Sequence, residues 1–203
     1  MIKGFILALA AVTLLSPDIK PEFDDSSNAK MKQLVDDGKV VRLYNGVYYL
    51  AYTTILGTKG RVSVDKFLKK KYIAPNGAIS GYITGIQLAN MYGFTTQNPA
   101  CIEVCSNEAT TKQRKVDIDG RRVIVYKPVA EITEENITTL QFLDLMSSID
   151  KYSELTGDLL IDKLKQFVKE VNVDFEQVKE YISLFPDRVY RNIYQGGLMN
   201  ELV

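Results

Sequence analysis

Lys30-Met31-Lys32-Gln33-Leu34-Val35-Asp36-Asp37-Gly38-Lys39-Val40-Val41-Arg42-Leu43-Tyr44-Asn45-Gly46-Val47-Tyr48-Tyr49-Leu50 decides how the first part of this chain folds. Met31, Leu34 and Val35 recur at helical spacing and predict one buried face. Gly38 follows them and is suited to the left-handed conformation that ends a helix. Asn45-Gly46 then stands between two apolar-aromatic runs, the strongest short-range signal for a tight hairpin. A short helix followed at once by a two-stranded ribbon is the order of a recognition helix and its wing.

Working backward, a helix is expected near Gly4–Leu14 and a short second one around Pro17–Phe23, with the third near Ser27–Asp37. Asp25, Ser26 or Ser27 is placed to cap the third through a short side-chain oxygen. These parts form a winged helix-turn-helix over residues 1–52. Lys3 and the apolar run Phe5–Leu15 are similar to the charged and apolar regions of a secretory signal. The run is too short to span a membrane, and Ala8-Leu9-Ala10 lies inside it rather than at a cleavage position. It therefore reads as the buried first helix of a cytoplasmic protein, with export as the alternative.

Working forward, Ala51–Arg61 reads as a connector. Residues 62–203 form the larger region, mixed α/β over 62–130 and helical over 133–203. It opens with a basic helix, Val64–Tyr72, broken by Pro75-Asn76-Gly77. A helix over Ser80–Tyr92 ends at Gly93, and a short strand spans Cys101–Cys105. Arg114–Ile118 and Arg121–Tyr126 flank Asp119-Gly120, a second hairpin signal. The helical part has one helix carrying Ile137, Leu140 and Met146. A second carries Leu160, Leu164 and Phe167. A third is opened by an Asp174/Gln177 capping box and closed by Pro186, and a last one holds Val189, Tyr190 and Tyr194. The fold class is α+β.

The 203 residues suffice for one sizeable core or two small ones. Lys and Arg number 25 and Asp and Glu 25, so net charge is zero and the whole chain has no electrostatic pull on nucleic acid. A local basic face is compatible with that total. The absence of histidine removes serine–histidine and cysteine–histidine nucleophile pairs and His-ligated zinc. Cys101 and Cys105 are the only cysteines. They read as structural thiols, being too far apart on one strand for an easy disulfide. Gly77, Gly81 and Gly85 match no phosphate-loop spacing. Glu134 and Glu135 are explained by the positive end of a helix rather than by acid–base work. The chain thus reads as non-enzymatic, with no cofactor and no metal.

The pattern as a whole resembles the AbiEi-type antitoxins, bacterial proteins with an N-terminal winged helix-turn-helix and a C-terminal antitoxin domain. The resemblance is carried by Leu34–Lys39, by Tyr44–Tyr49, and by Gly85–Ala100 with its helix, glycine and Thr-Gln-x-Pro turn. Thr133–Asn136 through Leu140–Leu145 and Phe185-Pro186-Asp187 also match. It covers roughly Ser16 to the C-terminus. The chain departs from the pattern in its apolar start, in Pro17, and in a Ser26–Gln33 segment that looks short for a recognition helix. The resemblance implies an autorepressor that binds inverted repeats at its own promoter, with two copies meeting on the DNA. It also implies an antitoxin, in an abortive-infection type of phage defence, that counteracts a nucleotidyltransferase-type toxin without a tight complex.

For DNA contact the chemistry selects Ser27, Asn28, Lys30, Lys32 and Gln33 on the third helix, since Asn and Gln can pair with adenine and Lys with guanine or phosphate. Arg42, Tyr44 and Asn45 on the wing are expected at the backbone or minor groove. Lys66, Lys69 and Lys70 are the densest cations and suit phosphate. Alternation places Tyr44 and Tyr48 on one wing face and Tyr49 on the other. Two other readings stand beside this one: a winged module used only for protein contact, and a nucleotide-handling enzyme in the larger region.

Overall fold

The structure is a computed structural model that describes residues 25–44 and 46–201, with side chains from residue 29 to 200. The helices expected at Gly4–Leu14 and Pro17–Phe23, the apolar run, and the side chains of Asp25, Ser26, Ser27, Asn28 and Asn45 lie outside that description. The protein has helices and strands in an α+β arrangement and divides into two compact units. One runs to Phe67 and includes Asp117–Arg121; the other comprises Leu68–Val116 and Arg122–Val203. The division therefore falls beyond the expected connector, and the tip of the second hairpin groups with the first unit.

In the first unit, helix α1 (Asp25–Asp36) has twelve residues, longer than the Ser26–Gln33 stretch suggested. Met31 is buried and Lys30, Lys32 and Gln33 are exposed. The helix ends in paired reverse bonds, Gly38 N to Val35 O at 2.9 Å and Lys39 N to Leu34 O at 3.0 Å. These satisfy carbonyls that the last turn leaves open. Strands β1 (Val40–Tyr44) and β2 (Val47–Leu50) follow as an antiparallel ribbon. Its register pairs Val40 with Leu50 and Arg42 with Tyr48, then slips by one so that Tyr44 faces Val47. That bulge turns Leu43 and Tyr44 inward together. Tyr44 thus shares a face with Val47 and Tyr49, not with Tyr48 as strict alternation requires. The expected connector is itself ordered. Thr53 and Lys59 form an antiparallel bridge, making Tyr52–Gly60 a second small ribbon. Helix α2 (Val64–Leu68) then passes into a π-helical turn, Lys69–Ile73.

In the second unit, a four-stranded sheet has the order β3-β4-β6-β5, with β3 at Gly81–Thr84, β4 at Ile102–Ser106, β5 at Gln113–Ile118 and β6 at Arg121–Tyr126. β4 is antiparallel to β3 and parallel to β6. The helix expected over Ser80–Tyr92 is half strand: β3 leads straight into α3 (Gly85–Met91). Tyr82 and Ile83 stand close enough to Ile86, Leu88, Ala89 and Met91 to read as one apolar segment, and a short buried strand and a buried helix look alike in such a segment. Helix α3 closes with Gly93 N to Asn90 O at 3.0 Å and Phe94 N to Ala89 O at 2.8 Å, which seats Phe94 in the core.

The helical part consists of α4 (Ile137–Met146), α5 (Ile149–Tyr152), α6 (Gly157–Val171), α7 (Phe175–Tyr181) and α8 (Arg188–Gln195). α4 is buried almost all round, with Thr139, Leu140, Phe142, Leu143, Leu145 and Met146 inside. Asp174 caps α7 by accepting from the N–H groups of Glu176 and Gln177. The reciprocal half of the expected capping box is not made; the Gln177 side chain instead accepts from Thr139 Oγ1 at 3.2 Å. At the centre, Phe167 meets Tyr92 edge-on at 4.4 Å, Phe94 at 5.9 Å and Phe142 at 6.5 Å. Replacing Phe167 by Ala is expected to cost about 3–5 kcal/mol, because three rings lose a common partner and a cavity opens. Denaturant unfolding of the full chain measures this; a loss below about 1 kcal/mol would show that the ring cluster is not the keystone of the core.

Candidate nucleic-acid interface and polar clusters

Lys30 and Gln33 lie three residues apart on α1 and so neighbour one another on its surface. Lys32 is exposed on the same helix. Arg42 is exposed on β1 opposite Tyr48. Tyr44 is a correction: only 8% of it is exposed, and its ring tilts against Phe67 at 6.1 Å. The bulge that turns it inward makes it a packing residue and not a contact for DNA. Lys66, Lys69 and Lys70 are all exposed, but the boundary between units falls inside this run. Lys66 belongs to the first unit, Lys69 and Lys70 to the second. The neighbouring Lys71 is partly buried over the Tyr72 ring at 5.4 Å. Burial, with Arg114 nearby, lowers its pKa.

Sequence reasoning missed two cations. Lys59 and Arg61, within the supposed connector, are exposed on the second ribbon. The signal was a charge gap rather than a period: residues 38–64 contain Lys39, Arg42, Lys59 and Arg61 and no carboxylate. Lys39 pairs with Asp37 at 2.9 Å. Acids close in from elsewhere in the unit. Asp119 N donates to Leu43 O at 3.2 Å, and its charge, second to burial, raises the pKa of Tyr49. Arg121 faces Asp65 at 3.7 Å.

The second unit holds two polar networks. Around β3 and α4, Thr84 Oγ1 donates to Asp144 at 2.6 Å, and Tyr82 and Cys105 adjoin the same carboxylate. Burial raises the pKa of Asp144, helped by the Glu103 charge and opposed by the Thr84 and Tyr82 hydrogen bonds. Burial and Asp144 push the Cys105 thiol up to about 12, so it is no thiolate nucleophile at neutral pH. Glu103 in turn accepts from Tyr126 OH at 2.9 Å. Its carboxylate crosses the β3–α3 turn, where a Cβ on Gly85 would stand 2.5 Å from Glu103 Oε1 and the backbone takes a positive φ of 66°. Only glycine meets both conditions. Each acid here is held by hydroxyls, and among the described residues no group of three or more Cys, Asp or Glu is placed to hold a metal.

The second network orders the Thr-Gln-x-Pro turn. Glu154 accepts from Thr95 Oγ1 at 3.0 Å, and from Thr96 N and Thr96 Oγ1, each at 2.9 Å. From the other side, Asn90 Nδ2 donates to the carbonyls of Thr95 and Gln97. These bonds tie α3 and the turn to the segment after α5. Among the described residues no helix is long and apolar enough to cross a membrane. Compared with known proteins, the chain matches no family model and no curated sequence.

The Thr96 hydrogen bonds, backbone first, hold the Glu154 carboxyl below the usual carboxylate range. A depressed folded-state pKa contributes stability above the unfolded value, about 4.3 for Glu, and that contribution is lost as pH falls through the folded value. Glu154→Gln is therefore expected to lower the urea midpoint at neutral pH and to converge on the native chain only as pH falls through the depressed folded-state value. A difference unchanged by acid would mean that the carboxylate charge contributes nothing to the turn.

Proposed function

We propose that this chain is an AbiEi-like antitoxin whose first unit binds duplex DNA at its own promoter as an autorepressor. The observation that carries the DNA half is local. A helix exposing Lys30, Lys32 and Gln33 runs directly into two ribbons whose residues 38–64 carry four cations and no acid. Such a surface suits phosphate contact from the ribbons and base contact from the helix. The helices expected at Gly4–Leu14 and Pro17–Phe23 lie outside the described residues, so the winged helix-turn-helix as a whole is part of the proposal.

The antitoxin half rests on the sequence resemblance in the second unit, whose Thr-Gln turn and Thr133–Leu145 helix entry supply its motifs. Its partner is a nucleotidyltransferase-type toxin, opposed without a tight complex. The two acids in the β3–α4 network are partly buried and hydroxyl-bonded, and Asp144 adjoins a thiol whose pKa is raised, which supports a structural role over an enzymatic one. Two copies on an inverted repeat complete the repressor reading.

Binding of the purified chain to its own upstream DNA across a salt series tests this. Specific binding that weakens steeply with salt, and is lost in Lys30→Ala/Lys32→Ala, is expected. Failure to bind that DNA at low salt sinks the repressor half.

A further inference from the structure

In the first unit, every exposed large apolar side chain among the described residues lies between Leu50 and Leu56. The extreme is the tip of the second ribbon, where Ile55 is 104% and Leu56 84% exposed. The tip is built and not frayed. Thr54 N donates to Thr58 O at 2.8 Å and Gly57 N to Thr54 O at 2.9 Å. The two threonine hydroxyls bond to each other at 2.8 Å. At its base, Gly60 N donates to Tyr52 O at 2.7 Å, and Tyr52 OH to the Arg61 carbonyl at 2.9 Å. The Tyr52 ring covers Gly60 so closely that a Cβ there would overlap it. A turn closed by this many bonds holds two aliphatic side chains outward. Behind them, Lys59 and Arg61 stand two residues apart on the returning chain, which puts them on the same side of an extended segment.

We propose that Ile55 and Leu56, at the tip of the Tyr52–Gly60 ribbon, form an apolar wedge that enters the minor groove of duplex DNA beside phosphates held by Lys59 and Arg61. This rests on the DNA-binding reading of the first unit and adds a second point of entry besides α1. Isoleucine and leucine are among the side chains that architectural proteins insert between base steps, unstacking and bending the duplex. Pyrimidine–purine steps yield to this most readily. Thr53 and Thr58, both exposed, are hydroxyl donors suited to the flanking backbone. The charge supports DNA over a purely apolar partner, because both charges on the returning chain are positive and no carboxylate lies between Gly38 and Val64.

The test uses the full chain and a short duplex with 2-aminopurine at a central TA step. The native chain is expected to bind and raise the fluorescence. Ile55→Ser/Leu56→Ser is expected to bind several-fold more weakly, without the fluorescence rise and with an unchanged salt slope. Lys59→Gln/Arg61→Gln is expected to flatten that slope by about 2. A serine variant equal to the native chain in affinity and fluorescence overturns the wedge and leaves DNA binding standing. A native chain with no affinity for duplex at low salt overturns both. If the serine variant loses only its binding to phosphatidylserine vesicles, the tip belongs to a lipid surface and the wedge is wrong.

Discussion

A helix buried on nearly every side must have both its ends satisfied by its neighbours, and α4 sets that requirement for the second unit. At its start, Thr133 N donates to Asn136 Oδ1 at 2.8 Å and Asn136 Nδ2 to the Glu131 carbonyl at 2.8 Å. At its end, the Met146 carbonyl accepts from Asn192 Nδ2 at 2.7 Å, in the interior. An orphaned backbone group in that environment costs about 1–3 kcal/mol. The last long helix, α8, is therefore tied to the core by a polar bond as well as by Val189 and Ile193. Along its length α4 supplies Asp144 to the β3 side and Thr139 to α7, so one helix ties the sheet to the helical layer.

That arrangement explains why so many chemistry-bearing residues of the second unit turn out to be occupied. Asp144, Glu103, Glu154, Asn136 and Asn192 each bind a neighbour across a long stretch of chain. Their hydrogen bonds fix the register between elements whose apolar faces alone would tolerate sliding. A polar residue spent in this way is a poor candidate for catalysis, because moving it would unfasten two elements at once.

Much of this was legible in the sequence, for identifiable reasons. Asn45-Gly46 and Asp119-Gly120 are local turn signals, and both hairpins follow from them with the expected strands. The helices after Thr133 follow from period, caps and Pro186. What sequence reasoning missed depended on tertiary context. Ser80–Tyr92 holds a strand and a helix because Gly85 permits the turn under Glu103, and apolar residues on both sides of that turn read as one segment. The bulge at Leu43-Tyr44 reversed the assignment of Tyr44, since one inserted residue flips every later side chain. Ala51–Arg61 has no hydrophobic period, so its ribbon, held by threonine and backbone bonds, had no signature.

Charge shows the same lesson at a larger scale. A net charge of zero argues against nucleic acid only if charge is spread evenly, and electrostatic attraction between exposed groups fades beyond roughly 8–10 Å at ordinary ionic strength. A phosphate therefore senses the nearest few side chains and not the total of 25 cations and 25 anions. Over residues 38–64 the local sum is positive, while Asp36 and Asp37 at the end of α1 and Asp119 beside the ribbon set its limits. Those acids would repel a duplex laid along the C-terminal end of α1 and favour one met by the Lys30–Gln33 face and the ribbons. A total of zero therefore neither excludes nor requires attraction to a polyanion; the local distribution of charge decides it.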